Sequence, residues 1–343
     1  MDAQNHGIVE AALAARTVEQ TLEVQSKIKL ALGEEFYRPL GEIWSNHGLM
    51  TSSGSSYDLK LMELVTNMQD AVLERFALTT FGSAEDVPYK SPHEAAAELL
   101  SEMNPADVAE MARVVFEESN PPATKSRRLT AVFRDRGCGL TPDAIPRTIF
   151  RLGGSHKEDA LYMQGAFGLG GAMTYRNAGS VVLVTRRDPR LLPPGAEDLI
   201  SVAVVEWQDM TKGSTAVYLV DQPWDNPGDE ADPWSCPASD YPEFEPGTHL
   251  ALVSYGVEGF HRQTERDDRI FYAVANTRLF DPVMPFVWTN RTGRGRNNTI
   301  RGLQSRLEST DVDLVRESDV VPLNIEGTTY HLPVSLILFK AGP

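Results

Sequence analysis

The sequence predicts an α+β protein, and three observations carry that reading. Helical patterns come first along the chain. A run of mostly consecutive strands follows, where a doubly wound parallel fold would alternate the two element types. Finally, 41% hydrophobic and 23% charged residues in 343 suit a chain with a sizeable core.

The elements can be justified in order. Residues 9–32 are rich in alanine and leucine with paired charges, which predicts a helix. NHGLMTSSGSS (46–56) is a polar linker, and its serines followed by Asp58 suit the start of the next helix, at about 58–79. A helical insertion is expected near 81–124. Ser91 is placed to cap it with Pro92 in the first turn, and Asn104-Pro105 divides it. RLTAVFRDRGCGL (128–140) is a β-branched and aromatic strand running into a glycine turn. TPDAIPRTIF predicts a short capped helix. SVVLVTRR, ISVAVVEW, STAVYLV and THLALVSY then predict strands. An acidic, proline-rich loop near 222–246 is expected as a surface excursion. The character changes near 262. ERDDRIFYAVANTRLF is helix-like, an arginine-rich stretch follows, and VVPLNIEGTTYHLPVSLILFK predicts a hairpin turning near Glu326-Gly327. The expected domains are therefore an N-terminal helical extension (1–57), a main domain (58–262) and a second, incomplete α/β domain (263–343).

Bulk properties exclude some classes. The formal net charge of −16 argues against general adhesion to nucleic acid. One exception is Asn290–Leu307, where Arg291, Arg294, Arg296, Arg301 and Arg306 occur with no acid. It is either a solvated surface or a phosphate or nucleic-acid contact. No apolar run approaches the ~18–20 residues of a membrane helix, so no membrane association is expected. The N-terminus lacks a basic n-region, and a cytoplasmic location is expected. Two cysteines, Cys138 and Cys236, support neither a disulfide framework nor a zinc cluster.

Four local features bear on chemistry. In LMELVTNMQDAV (61–72), Leu61, Leu64, Val65, Met68 and Val72 form an apolar arc, while Glu63, Asn67 and Asp70 share the opposite stripe. Alone, that stripe is an ordinary polar outer face. Asp135, Gly137 and Gly139 form a D-x-G-x-G loop after a strand, a pattern that turns also favour. GAFGLGG (Gly165, Ala166, Phe167, Gly168, Leu169, Gly170, Gly171) precedes a helix-compatible segment, and N–H groups freed at such a helix start can cradle phosphate. It is neither a Walker loop nor a convincing dinucleotide fingerprint. Ser155 and Lys157, just before it, are candidate phosphate ligands. The fourth feature is Gly247-Thr248, opening a late strand.

Taken in order, the four resemble the GHKL ATPase superfamily: gyrase B subunits, heat-shock ninety chaperones, histidine kinases and MutL. ELVTNMQDA matches E-x-x-x-N-x-x-D-A, and the D-x-G-x-G loop, the G-x-x-G-x-G segment and the late Gly-Thr follow across about 58–256. The style is closest to the chaperone, MutL and MORC branch. The resemblance implies a two-layer α/β sandwich (the Bergerat ATP-binding fold), with a mixed, mostly antiparallel sheet covered by helices, and then a transducer-like domain. It implies Mg²⁺-dependent ATP hydrolysis. Glu63 would be the base that activates water, and Asn67 a Mg²⁺ ligand. Asp135 would accept the adenine amino group, with Thr248 supporting a water. Gly137 and Gly139 would let the base approach the backbone, and the Gly165–Gly171 amides would hold phosphates. Asp70 would shape the base pocket or pair with an arginine. Lys340, or an arginine of the 291–306 cluster, would reach the γ-phosphate. ATP-dependent homodimerisation, a further protein partner, and work on DNA or protein, as in DNA repair or antiphage defence, also follow from the resemblance. The alternatives are a nucleotide-gated scaffold with little hydrolysis and a histidine kinase; for the latter the upstream histidines, His6 and His47, lack a convincing acidic helical context.

Overall fold

Thr17 divides the N-terminal helical stretch in two. Its side chain accepts from the Gln20 N–H while Gln20 reaches back to the Thr17 N–H, a capping box that starts a new helix. Helix α1 is Ala3–Ala14 and α2 is Val18–Leu32, closed by Gly33 in the left-handed conformation. The computed structural model describes residues 3–44, 46, 57–119, 128–151, 160–164, 174–210, 213–256, 279–291, 296–309, 314–325 and 327–339.

Helix α3 spans Tyr57–Phe81, close to the predicted bounds. Ser91 and Asn104 cap α4 (Pro92–Leu99) and α5 (Pro105–Glu110), each with proline in the first turn. The expected helical insertion then changes type. Ala112–Glu118 is strand β2, because the β-branched and aromatic run Val114, Val115 and Phe116 is buried between two neighbouring strands. The helix expected in TPDAIPRTIF is only a 3-10 turn at Pro142–Ala144. The Thr141 hydroxyl donates to the Asp143 carboxylate instead of capping a backbone N–H.

The strands are β1 (Phe36–Pro39), β3 (Arg128–Asp135), β4 (Ser180–Arg186), β5 (Leu199–Met210), β6 (Gly213–Val220), β7 (Ser235–Pro237), β8 (Gly247–Gly256), β9 (Phe286–Asn290) and β10 (Arg296–Ile300). Among the described residues they form with β2 one ten-stranded sheet, ordered β1-β6-β5-β4-β8-β3-β2-β9-β10, with β7 on β5. Every pairing among the described residues is antiparallel except β2 with β9. The fold is thus α+β with a mixed, mostly antiparallel sheet.

Alternation along the strands feeds two cores. On one face Val114, Phe116, Ala131, Phe133, Val181 and Leu183 meet α3, α4 and α5. The five residues predicted as the apolar arc of α3 are all buried there. On the other face Val115, Val132, Val182, Val184, Val202 and Val204 meet α1 and α2. The N-terminal extension therefore covers the face that a two-layer sandwich leaves open. The acidic loop is also more than a surface excursion. It supplies β7, and Trp224, Trp234, Cys236 and Phe244 are buried in the two cores. Both cysteines are buried, and neither is in a disulfide.

The sheet continues past the boundary expected near 262. β9 and β10 belong to it, so 286–300 extend the main sheet. After α6 (Gly302–Ser309), β11 (Leu314–Ile325) and β12 (Thr328–Phe339) form the predicted hairpin as a separate two-stranded sheet. Its register puts Val321, Leu323, Ile325, Tyr330, Leu332 and Val334 on one face, all exposed. Helix-like residues 263–278 lie outside the described residues.

Candidate functional site

Helix α3 organises the site along its length. Its apolar arc packs on the sheet, which leaves Glu63 and Asn67 exposed one turn apart while Met62, Leu64, Val65 and Met68 are buried. Asp70, expected on the same stripe, is fully buried. Its carboxylate accepts the backbone N–H of Gln164 at 2.8 Å. The neighbouring arginine, Arg75, turns instead to Asp188 at 2.7 Å.

Two described residues flank positions 165–173, and both bond to α3. Gln164 reaches Asp70 through its backbone and Gln69 through its side chain. Thr174, also buried, donates its hydroxyl to the Lys60 carbonyl at 3.3 Å. These attachments bracket Glu63 and Asn67. At 1.5 Å per residue, Lys60 and Asp70 stand about 15 Å apart along the helix.

The D-x-G-x-G loop sits at the C-terminal end of this row. The Cys138 N–H donates to the Ala71 carbonyl at 3.0 Å, and its thiol donates to Glu74 at 3.1 Å. Burial, and next the Glu74 carboxylate, push that thiol well above its usual pKa, so it stays protonated. Asp135 ends β3 and is buried. Its Oδ1 accepts both the Gly137 N–H at 2.9 Å and the Thr248 N–H at 3.2 Å, which among the described residues leaves Oδ2 for another donor. Burial pushes the Asp135 carboxyl up to about 7, against the two N–H bonds that pull it down.

The glycines of this loop serve the protein's own packing. A Cβ on Gly137 would lie 2.5 Å from the Ala71 Cβ, and one on Gly139 only 1.8 Å from the Arg186 carbonyl oxygen. The resemblance implied that they admit a base to the backbone. In the structure the atoms filling those spaces belong to α3 and β4. Gly139 also has φ +60°, while Gly195 has φ +85° in open space. Gly139→Ala should therefore cost about 4 kcal/mol, strain and overlap together. Gly195→Ala should cost about 1 kcal/mol, strain alone. Urea unfolding midpoints of the two variants check this difference.

Several site residues were not anticipated. Thr185 lies opposite Thr248 across β4 and β8, with the hydroxyls 3.3 Å apart. It accepts the Leu140 N–H and donates to the Gly247 carbonyl. A lone threonine ending the apolar run SVVLV was the available signal. Arg75 and Asp188 hold the other side of the loop. Asp188 takes Arg75 and Arg190, its N–H donates to the Cys138 carbonyl, and Arg75 also donates to the Arg136 carbonyl. Burial alone would raise Asp188, but the hydrogen bonds from Arg190 and Arg75 outweigh it and hold the carboxyl below its ordinary range. Extending the polar stripe of α3 by one more turn would have reached Glu74 and Arg75.

Other expected residues fall outside what the structure describes or have other partners. Ser155, Lys157, the Gly165–Gly171 stretch, Lys340, Arg294 and His47 lie outside the described residues, as do the side chains of Arg296 and Arg306. Arg291 pairs with Glu117 at 2.6 Å, and Glu117 also takes Arg16. His6 bonds the Asp240 carbonyl and lies against the Tyr241 ring, a packing role. Among the described residues no His, Cys, Asp or Glu cluster could hold a metal alone, and no helix is long and apolar enough to cross a membrane.

No protein-family model and no curated protein matches the chain. Among solved structures, it is similar to the topoisomerase IV ATP-binding domain of Francisella tularensis in complex with a small-molecule inhibitor. The identity is 11% and the TM-score 0.35, over 87% of this chain and 63% of that one. The chain thus spans less than two thirds of the length of that structure's chain.

Proposed function

We propose that the chain binds ATP along α3 and hydrolyses it to ADP and phosphate. The observation that carries this reading is the row on that helix. Glu63 and Asn67 lie exposed between the attachment points of Thr174 and Gln164, with the buried Asp135 loop beyond them. A nucleotide laid along the row would place its base at Asp135 and Thr248 and its phosphates at Asn67 and Glu63. Asp135 Oδ2 would accept the base amino group. Thr248 and Thr185, hydroxyl to hydroxyl, would hold a water beside it.

Asn67 fits a magnesium ion. Its exposed amide supplies one neutral oxygen, and such an ion takes the rest of its shell from phosphates and water, so no acidic cluster is needed. Bound there, Mg²⁺ would neutralise charge developing on the phosphates. Glu63, one turn away, would take a proton from water as the water oxygen bonds to the γ-phosphorus and the bond to the ADP oxygen breaks. The Gly165–Gly171 amides would hold the phosphates, as the motif resemblance implies, with Ser155 and Lys157 as further candidate ligands.

Titration calorimetry tests this reading. ATP should bind, and Mg²⁺ should tighten it roughly tenfold in the wild type and not in Asn67→Ala. Absence of ATP binding with and without Mg²⁺ would overturn it. ATP-driven dimerisation and coupling to a DNA- or protein-directed machine, in DNA repair or antiphage defence, extend the proposal on the strength of the resemblance. Sedimentation with a non-hydrolysable ATP analogue tests the dimer.

A further inference from the structure

Gln69 sits on α3 between the exposed pair and the base loop, yet it is fully buried. Its amide orientation follows from its neighbours. The Met284 carbonyl can only accept, so Nε2 must face it, at 2.6 Å. That leaves Oε1 to accept the Gln164 side-chain amide, at 3.2 Å. One buried side chain therefore joins three separate pieces of chain: the helix, the residue preceding Gly165, and the approach to β9. Asp70, the next residue, takes the Gln164 backbone N–H. Filling a core does not require an amide here, since an unbranched apolar side chain has similar volume; an amide meets the fixed acceptor on one side and the donor on the other.

We propose that Gln69 is a positioning residue. It locks Gln164 against α3, and so sets where the glycine-rich stretch begins, and it ties that point to β9. Through β9 and its antiparallel partner β10, the anchor connects the phosphate end of the site to the strands that lead toward the C-terminal hairpin. The proposal rests on the ATP reading for its effect on turnover, but the anchor itself is independent of nucleotide. Loss of Gln69 should affect the phosphate end and spare the base end, because the Asp135 loop is held by other bonds, from the Gly137 and Thr248 N–H groups to Asp135 and from the Cys138 N–H to the Ala71 carbonyl.

The test uses Gln69→Met, which keeps the volume and removes both bonds, and Gln164→Ala, which keeps the backbone bond to Asp70. Hydrogen exchange without nucleotide should speed up roughly tenfold at the Gln164 amide in Gln69→Met and stay unchanged at the Cys138 amide. Hydrolysis should fall roughly tenfold in kcat in both variants, with adenosine affinity held within about twofold. The double variant should be no worse than Gln69→Met. Unchanged exchange at Gln164, or adenosine affinity falling along with turnover, would overturn the positioning role. If Gln69→Met does not fold, Gln164→Ala decides by the split between kcat and adenosine affinity. A wild-type protein that binds no ATP would defeat the proposed function, and the exchange measurement would still decide the anchor.

Discussion

Glu63→Ala should retain ATP binding and lose hydrolysis. Glu63 is exposed on α3, between residues buried in the core, so removing it takes nothing from the packing. Alanine is also the better helix former, and melting should be unchanged or slightly higher. The loss should fall on chemistry alone. Removing a positioned general base lowers turnover by ~10²–10⁴-fold, so phosphate release should drop by that range with the affinity for ATP preserved. Glu63→Gln should behave likewise, because an amide can orient water but cannot take its proton. Undiminished turnover in either variant would remove Glu63 as the base. The nucleotide-gated scaffold makes a different forecast: turnover already negligible in the wild type, with no further drop.

Asp135→Asn should lose nucleotide binding and stabilise the free protein, two effects of opposite benefit from one buried group. The folded carboxyl is pushed up to about 7 from an ordinary 3.8. Between those values the folded protein keeps a proton that the unfolded chain has released, so stability from this group falls as pH rises. The cost of ionisation is complete above about 7 and relieved on acidification toward 3.8. Asparagine never ionises. Its oxygen can still accept from Gly137 and Thr248, so the variant should unfold at higher urea than the wild type at pH 8, and the gap should close toward pH 4. Binding runs the other way. A base amino group needs an acceptor, and asparagine turns a donor toward it, which should weaken ATP by roughly a hundredfold or more. In the wild type the acid form carries the same defect. Affinity should therefore fall roughly tenfold per pH unit below about 7 and level off above it, whereas Asp135→Asn should show no such dependence. Calorimetry across pH 5–8 measures both; a flat wild-type profile would remove Asp135 as the acceptor.

Much of this architecture is legible in the sequence where local chemistry is unambiguous. The caps at Ser91 and Asn104, the length of α3 and the hairpin turn at Gly327 all follow from short-range patterns. Where the reading failed, a partner far along the chain decided the outcome. ARVVFEE (112–118) lies downstream of helical sequence and reads as part of it, but β3 and β9 on either side make it a strand. The acidic loop looked solvent-bound by composition, yet its tryptophans fill two cores. The boundary near 262 followed a real change of character, which the sheet ignores because β9 returns to pair with β2.

The sequence by itself determined the α+β class and the polar pair Glu63 and Asn67, since residue type and periodicity suffice for these, and it set out in order the motifs whose resemblance to a family implies ATP. Tertiary structure alone decided that Asp70 is buried under Gln164 rather than exposed, and that Gly137 and Gly139 make room for Ala71 and Arg186. It also decided that Gln69, Thr185, Arg75 and Asp188 frame the site. The reason is physical. Which residues share one face of a helix can be read from its period, but their partners lie up to 215 residues away in the chain, and only folding sets those distances and the burial that goes with them.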